Sequence, residues 1–436
     1  MSLLGAMNTA ISGMTAQSNA FSNISDNVAN SQTIGFKRID TNFVDYLTSS
    51  TATSNTSGVV LARPDYVNDV QGSIQQQENP LSFAIAGAGF FAVSQPNGTS
   101  SGLPVFQPET FYTRAGDFQM DANGYLVNSA GNFLDGWPVD STTGVPNRAA
   151  LTPVRIDQSI YNPIPTSTLD LSANLPATPA TGATMSTQLQ IYDTLGTMHT
   201  VTLDWAQNAS NDWTVSVTSA DDIASTSRGT ANILFGPLAS ANPVADGTVG
   251  NITGVTGNVT STGYVSGGVA TLVFDTDMGN GLQTVSLNIG GYGDTSGLTQ
   301  FAGSQYNLRS LTQDGVPPGS FTSVSTRING DIVQNYDNGR TVVIARVPVV
   351  TFTNPNALQR QDGQSFTATI DSGTPISSEA GSNGAGGLVT GAVENSNVDI
   401  ATEFSKLIVA QRAYSANTKM ITTADELLQQ TIDMKR

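Results

Sequence analysis

IATEFSKLIVAQRAYSANTKMITTADELLQQTIDMKR spans Ile400 to Arg436 and contains neither glycine nor proline. Ile400, Leu407, Tyr414, Ile421 and Leu428 recur at every seventh position. That is the period of a helix that keeps one apolar seam against a partner helix. The second apolar position of the heptad is impure: Phe404, Gln411, Thr418, Asp425, Ile432. A self-sufficient coiled coil does not carry Gln and Asp there, so the stripe needs a partner elsewhere in the chain. Asn397 or Asp399 supplies the N-cap.

The expected partner is at the opposite end, the alternative being that each helix packs on its own domain as an ordinary amphipathic helix. Leu4, Met7, Ile11, Met14, Phe21 and Val28 follow steps of three and four, with Ser18 and Ser25 in the gaps and Ile24 beside them. The remaining face is small or polar and uncharged (Asn8, Thr9, Ser12, Gln17, Asn19). Such a face is more readily tucked among protein surfaces than left in water. The helical pattern stops at ANSQTIGF, where Gly35 and β-branched residues break it. Burying five large apolar side chains is worth on the order of 10 kcal/mol gross. Left exposed, such a stripe drives association.

Between the two stripes the chain reads as β-structure. Asn-Gly pairs at 123–124, 329–330 and 338–339 lie between apolar runs and mark hairpin turns. MHTVTLDW alternates Val201, Leu203 and Trp205 with polar residues, and VSLNI at 285–289 alternates again. Pro- and Ala-rich stretches border residues 166–311, which read as a β domain inserted into another. The expected layout is mainly β with α-helical termini that pair as a coiled-coil-like inner domain. Its parts are an N-terminal helix (1–32), a connector (33–85), the first half of a β domain (86–165) and the inserted outer β domain (166–311). The second half of the β domain (312–390) and a linker with the C-terminal helix (391–436) complete it.

Composition narrows the function. The 436 residues carry a formal charge of −17, with 12% charged side chains and no cysteine. Of that charge, −16 falls in residues 51–397, where 26 acids meet 10 bases. Neutral ends around an acidic middle fit ends buried in an assembly. Nucleic acid and anionic lipid are not expected partners, since both need clustered Lys and Arg. Disulfides and thiolate chemistry are excluded. No apolar run is long enough to span a membrane, and the first 30 residues lack the Lys/Arg and apolar core of a secretory signal. If the protein leaves the cytoplasm, another route must carry it.

Catalytic chemistry finds little footing. His199 is the only histidine and sits on a strand alternation, so a His-based zinc site and a histidine-based triad are not expected. DTDMGN at 275–280 lacks the remaining ligands and helices of a calcium loop, GSNGAGG at 381–387 is not followed by Lys-Ser/Thr, and AIAGAGFF at 84–91 lacks the third glycine and acidic residue of a dinucleotide site. Neither enzyme activity, cofactor nor metal is expected.

LLGAMNTAISGMTAQSNAFSNISDNVANSQTIGFKR resembles the N-terminal signature of bacterial flagellar axial proteins. Its motif falls on Asn27, Val28, Ala29, Asn30, Thr33, Gly35, Phe36 and Lys37. GAVENSNVDIATEFSKLIVAQRAYSANTKM resembles the paired C-terminal signature, at Glu394, Ser396, Asn397, Val398, Asp399, Gln411, Arg412, Tyr414 and Asn417. Ser25-Asp26-Asn27-Val28 departs mildly from the usual pattern. FYTRAGDFQMDANGYLVNSAGNFLDGW is common to rod and hook proteins, whereas QIYDTLGTMHTVTLDW and INGDIVQNYDNGRTVVIARVPVVTFTNPNAL resemble the hook protein family in particular. The resemblance implies a structural subunit, exported by the flagellar type III apparatus. Outside the cell it would polymerise with itself into a curved tube that joins rod to filament and transmits torque. Rod, hook-cap and hook–filament junction proteins would be its other partners. The alternatives are another axial protein, rod or hook-associated, and a secreted β-rich adhesin with helical ends. The residues expected to carry assembly are Leu4, Met7, Ile11, Met14, Phe21, Ile24, Val28, Asn30, Gly35, Phe36, Ile400, Phe404, Leu407, Tyr414, Ile421 and Leu428.

Overall fold

The computed structural model describes residues 3–50, 55–141, 143–303 and 305–434, with the side chains of 3–4 and 47–57 outside that description. The chain divides into two compact units. The first comprises Met1–Gln158, Thr322–Asn335 and Thr341–Arg436, and the second Ser159–Phe321 with Tyr336–Arg340. Three α-helices occur among the described residues: α1 (Leu3–Ala29), the one-turn α2 (Gly236–Ser240) and α3 (Ile400–Asp433). Everything else that is regular is strand, apart from one short 3₁₀ turn at Pro355–Ala357. The mainly β fold with helical ends is therefore as the sequence predicts.

The second unit is a two-sheet sandwich. One sheet is a five-stranded antiparallel meander from Thr184–Tyr192 through Met198–Ala209, Asp212–Ser219 and Ser227–Phe235 to Val249–Thr253. The other has six strands, with Thr168–Pro176 between Leu282–Gly291 and Thr299–Phe301 and also paired to Asn307–Gln313. Alternation explains both. Val201, Leu203 and Trp205 of one sheet, and Val285, Leu287 and Ile289 of the other, point into a common core with Trp213, Phe235 and Phe274. Their polar neighbours face outward, as the two-residue period requires.

The first unit has two parts. A sheet of eleven mostly short strands carries an aromatic interior. Phe83, Phe91 and Phe118 pack in tilted and edge-on pairs. Phe90, Tyr112, Phe352 and Phe366 form a second aromatic cluster. The other part is helical: α1 and α3 lie against each other, and the long hairpin β1 (Ile39–Ser50) and β2 (Asn55–Tyr66) packs on α1. Gly124, Gly330 and Gly339, second members of the three Asn-Gly pairs, all take positive φ (85°, 89° and 79°). That is the conformation for which glycine is used at tight turns.

One interior group stands apart. Asp135, on the strand Phe133–Pro138, is 2% exposed, and Ser94 Oγ lies 2.9 Å from each of its carboxyl oxygens. One hydroxyl proton cannot satisfy two charged oxygens, and among the described residues no cation forms a salt bridge with Asp135. Burial pushes the Asp135 carboxyl up to about 7, against the smaller opposing effect of Ser94. An unfolded aspartate titrates near 3.9. Between those values the native state holds a proton that the unfolded state has lost, so stability falls as pH rises and levels off above about 7. The slope is roughly 1.4 kcal/mol per pH unit at most. Asp135→Asn, neutral throughout, is predicted to flatten this fall. Hydrogen-exchange protection of residues 133–138, corrected for intrinsic rates between pH 5 and pH 8, measures it, and an unchanged slope would show Asp135 ionised in the native state.

Candidate assembly site

The helical pair closes through small residues. α1 is 27 residues long and α3 is 34. They run antiparallel, for Asn27 of α1 meets Glu403 and Gly13 meets Asn417. Ala10, Ala16, Ala20 and Ile24 are buried on α1, and Glu403, Ala410 and Ala424 on α3. A Cβ on Gly13 would sit 2.9 Å from Asn417 Nδ2. Asp399 caps α3, its carboxylate accepting from the backbone N–H of Ala401 and Thr402 at 2.8 and 3.1 Å.

The predicted stripes run beside these small residues and are partly buried with them. Leu407, Ile421 and Leu428 are half-buried, whereas Ile400, Phe404 and Tyr414 are exposed. On α1, Met7, Met14, Phe21 and Val28 are half-buried, Ile11 is exposed and Ile24 is buried. The Leu4 side chain lies outside the described residues. The reason is steric: alanine, glycine and asparagine at the line of contact allow the helices a close approach, and the larger side chains are displaced to its edges.

Polar groups fix the register of the pair. Asn27 Nδ2 donates to Ile39 O at 2.8 Å and to Glu403 Oε2 at 3.1 Å, while Asn27 Oδ1 accepts from Ile39 N–H at 2.9 Å. Lys406 Nζ reaches Asp40 at 2.6 Å and Glu403 at 2.7 Å. Partial burial alone would lower the Lys406 ammonium. The hydrogen bonds it donates to the carboxylates of Asp40 and Glu403, with their negative charge, outweigh that and hold it above its ordinary range.

Just beyond the helices, both ends of the chain meet the β body at one buried carboxylate. Glu394 Oε1 lies 2.6 Å from Lys37 Nζ, and Oε2 lies 2.9 Å from Arg114 Nη1. All three side chains are 1% exposed. Gly72 N–H donates to Glu394 Oε1 at 2.8 Å, and Gly35 N–H donates to Glu394 O at 2.8 Å. Lys37 also donates to Val70 O, and Arg114 to Ile85 O and Gly87 O. Burial pulls both cations below their ordinary ranges, and Glu394 opposes that in each.

The motif residues around this centre have definite local work. Asn30 ends α1, donating to Asp26 O and to Asp26 Oδ1 at 2.9 Å. Gly35 has φ of 70°, and a Cβ there would lie 2.4 Å from Ala115 N, so no other residue fits. Phe36 is buried beneath the Arg360 guanidinium, 4.4 Å from its ring centroid. Asn397 accepts from Arg38 N–H at 2.8 Å and donates to Val67 O and Val70 O. Sequence periodicity found Asn30, Gly35 and Phe36 only through the family motif. It missed the joining roles of Asn27, Lys37, Arg114, Glu394 and Glu403.

Among the described residues no group of three or more potential ligands could hold a metal. His199, in the second unit, lies 3.1 Å from Asp221 and 3.5 Å from Asp193. The letters G-x-S-x-G do occur at 98–102, but on the hairpin formed by Pro96–Ser100 and Leu103–Phe106. That is not the strand-to-helix turn of a nucleophile elbow. No described helix is long and apolar enough to cross a membrane.

The chain is thus mainly β, has its ends tied together at a buried ion cluster and leaves apolar helical flanks exposed. The comparisons agree along the length of the chain. Residues 7–37 match the model for flagella basal body rod protein, and residues 84–164 that for the flagellar hook protein FlgE/F/G D1 domain. Residues 159–316 match the flagellar basal body protein FlaE D2 domain, and residues 389–434 the flagellar basal body rod FlgEFG protein C-terminal model. The flagellar hook protein FlgE of Brucella suis biovar 1 is 33% identical over 440 residues, covering 100% of both chains. That of Salmonella typhimurium is 28% identical over 98% of this chain and 99% of its own. The crystal structure of Helicobacter pylori flagellar hook protein FlgE2 aligns with 72% of this chain and 98% of its own, at 16% identity and a TM-score of 0.48. The chain belongs to the flagellar hook protein family, structural proteins of the flagellar basal body and hook.

The ion cluster makes a ranked prediction. Glu394→Gln leaves two buried cations without a counter-charge, and its cost is predicted at about 3–5 kcal/mol. Lys37→Met leaves Glu394 paired with Arg114 and costs less. The readout is the opening free energy of the Gly35, Phe36 and Asn397 amides by hydrogen exchange. Equal losses in the two variants would remove Glu394 from the centre of the joint.

Proposed function

We propose that the protein is the structural subunit of the flagellar hook, polymerising with itself into a curved tube that links the rod to the filament and transmits torque while bending. The observation that carries this reading is the helical pair. The chain spends its small residues on closing α1 against α3 and leaves Phe404, Ile408, Val409, Met420 and Leu427 exposed on α3. An exposed apolar surface of that extent on one helix favours association. The assembly residues are Leu4, Met7, Ile11, Met14, Phe21, Ile24 and Val28 on α1, with Ile400, Phe404, Leu407, Tyr414, Ile421 and Leu428 on α3. Asn30, Gly35 and Phe36 hold the connector behind them. In this reading 1–32 and 391–436 form the inner tube and 166–311 the outer β domain.

The proposed location is outside the cell, in the hook of the basal body, reached through the flagellar type III apparatus. Rod, hook-cap and hook–filament junction proteins are the partners at its two ends, and the protein has no enzymatic role. Bending asks each subunit to change its spacing to its neighbours as the tube turns. Contacts between outer domains rich in Ser, Thr and Asn exchange hydrogen-bond partners at low cost, whereas packed apolar contacts between helices hold the tube together.

Electron microscopy of the purified chain under polymerising conditions tests this, beside a form trimmed to residues 33–395. Curved tubes from the full chain and a soluble monomer from the trimmed form are the expected result. Short straight rods would assign the chain to another axial structure. A full chain that stays monomeric with both helices protected from protease would remove the self-assembly reading.

A further inference from the structure

The flanks of the helical pair differ from each other. At roughly 100° per residue, Phe404 lies about 100° to one side of the Glu403–Ala410 line, and Val409 about 120° to the other. On Phe404's side α1 presents Met7, Ile11, Met14 and Phe21, for Thr418 Oγ1 lies 3.9 Å from Met14 Sδ on that edge of the seam. This side is an apolar ridge, with Phe404 51% and Ile11 46% exposed. On Val409's side the surface is concave. A groove of about 610 Å³ opens between α3, α1 and the base of the β1–β2 hairpin, lined by Ala20, Ile24, Ile39, Phe43, Val409 and Ala410.

Charge decides what this groove accepts. The charged side chains on its rim, Asp40, Glu403 and Lys406, are already paired with one another. A charged occupant would bury an uncompensated charge, which is costly. A neutral apolar ridge would not. The ridge fits that requirement: α1 has no charged residue before Asp26, and Phe404 lies beside Glu403, a groove-lining residue, so ridge and groove stand at the same level of the pair.

We propose that the groove's occupant is the ridge of a second copy of this chain, with Phe404 as the side chain that enters it. Ridge and groove are different surfaces of one molecule, so the contact is heterologous and does not close on itself at a dimer. It builds an open array of subunits side by side, in the helix-into-groove manner by which apolar helical faces are recognised elsewhere. The inference rests on the self-assembly reading and adds which surface meets which.

Two variants separate the possibilities. Phe404→Asp spoils the ridge and spares the groove, and Val409→Asp does the reverse. Both positions are exposed in the monomer, and far-UV circular dichroism checks that both variants fold. Each alone is predicted to stay monomeric at the concentration where the unaltered chain polymerises. Mixed at equal amounts, they are predicted to form a 1:1 dimer by analytical ultracentrifugation, the intact Phe404 of one seated in the intact groove of the other. Polymers from either variant alone, or a mixture that stays monomeric while the unaltered chain polymerises, would overturn the pairing. If the unaltered chain forms no polymer, the self-assembly reading fails and takes this pairing with it.

Discussion

The carboxylate of Glu394 is the constraint on which the arrangement of the first unit depends. Its backbone carbonyl and both its oxygens are engaged, by groups from 35–37, 72 and 114. A buried ion pair contributes little net stability compared with a well-packed apolar substitute. Its value here is geometric. Two cations from separate parts of the chain meet one anion, so displacing any of these segments would leave a buried charge unpaired. The carbonyls of Val70, Ile85 and Gly87 take up the remaining N–H groups of Lys37 and Arg114. The excess positive charge is thereby spread over fixed dipoles, and the burial of both cations becomes tolerable.

The same segments set the start and end of the helices. Asn30 terminates α1, Gly35 turns the chain tightly against Ala115, and Asp399 begins α3 only five residues after Glu394. Helix length and phase are thus tied to the β body by short, hydrogen-bonded connections. Along the helices themselves the alanine-rich seam is narrow, and its burial alone is modest. Much of the apolar area of α3 remains in water, a state that a helix of this kind leaves on finding a neighbour. Polar anchoring at one end and apolar readiness along the flanks are complementary: the first fixes direction, and the second awaits a partner.

Much of this was legible in the sequence, and the part that was not has a physical cause. Two-residue alternation located the sandwich core through Val201, Leu203 and Trp205, because a strand's burial is decided by nearest neighbours on the same face. The heptad of α3 was equally visible, but its contact line was read from the largest side chains, Leu407 and Tyr414. The structure buries Ala410 and Ala424 more fully, beside the half-buried Leu407, Ile421 and Leu428. Hydrophobicity reports which residues avoid water, whereas close approach of two helices selects the smallest ones. Lys37, Arg114 and Glu394 are farther apart still, 280 and 357 positions separating Glu394 from its two partners. No local pattern encodes such a meeting. Only the family motifs, which contain Lys37 and Glu394, marked these positions at all, and Arg114 within TRAGDF carried no charge signal of its own. Asp135 was silent for the same reason: a lone aspartate in FLDGW reads as a turn until its burial is seen.

The order in which these contacts become possible follows from the same separations. Lys37 and Arg114 precede Glu394 in the chain, so until the C-terminal segment arrives their burial has no counter-charge and is opposed by desolvation. Both cations are pulled down by burial even in the closed state, and without the carboxylate only the carbonyls of Val70, Ile85 and Gly87 and, for Lys37, the charge of Asp69 would offset it. The two-strand contact of Ile74–Gln76 with Ala392–Glu394 and the N-cap at Asp399 depend on the same arrival. Closure of the ends is in this sense one joint: segments from both termini and from the β body meet at a single carboxylate, and the position of the helical pair is tied to it.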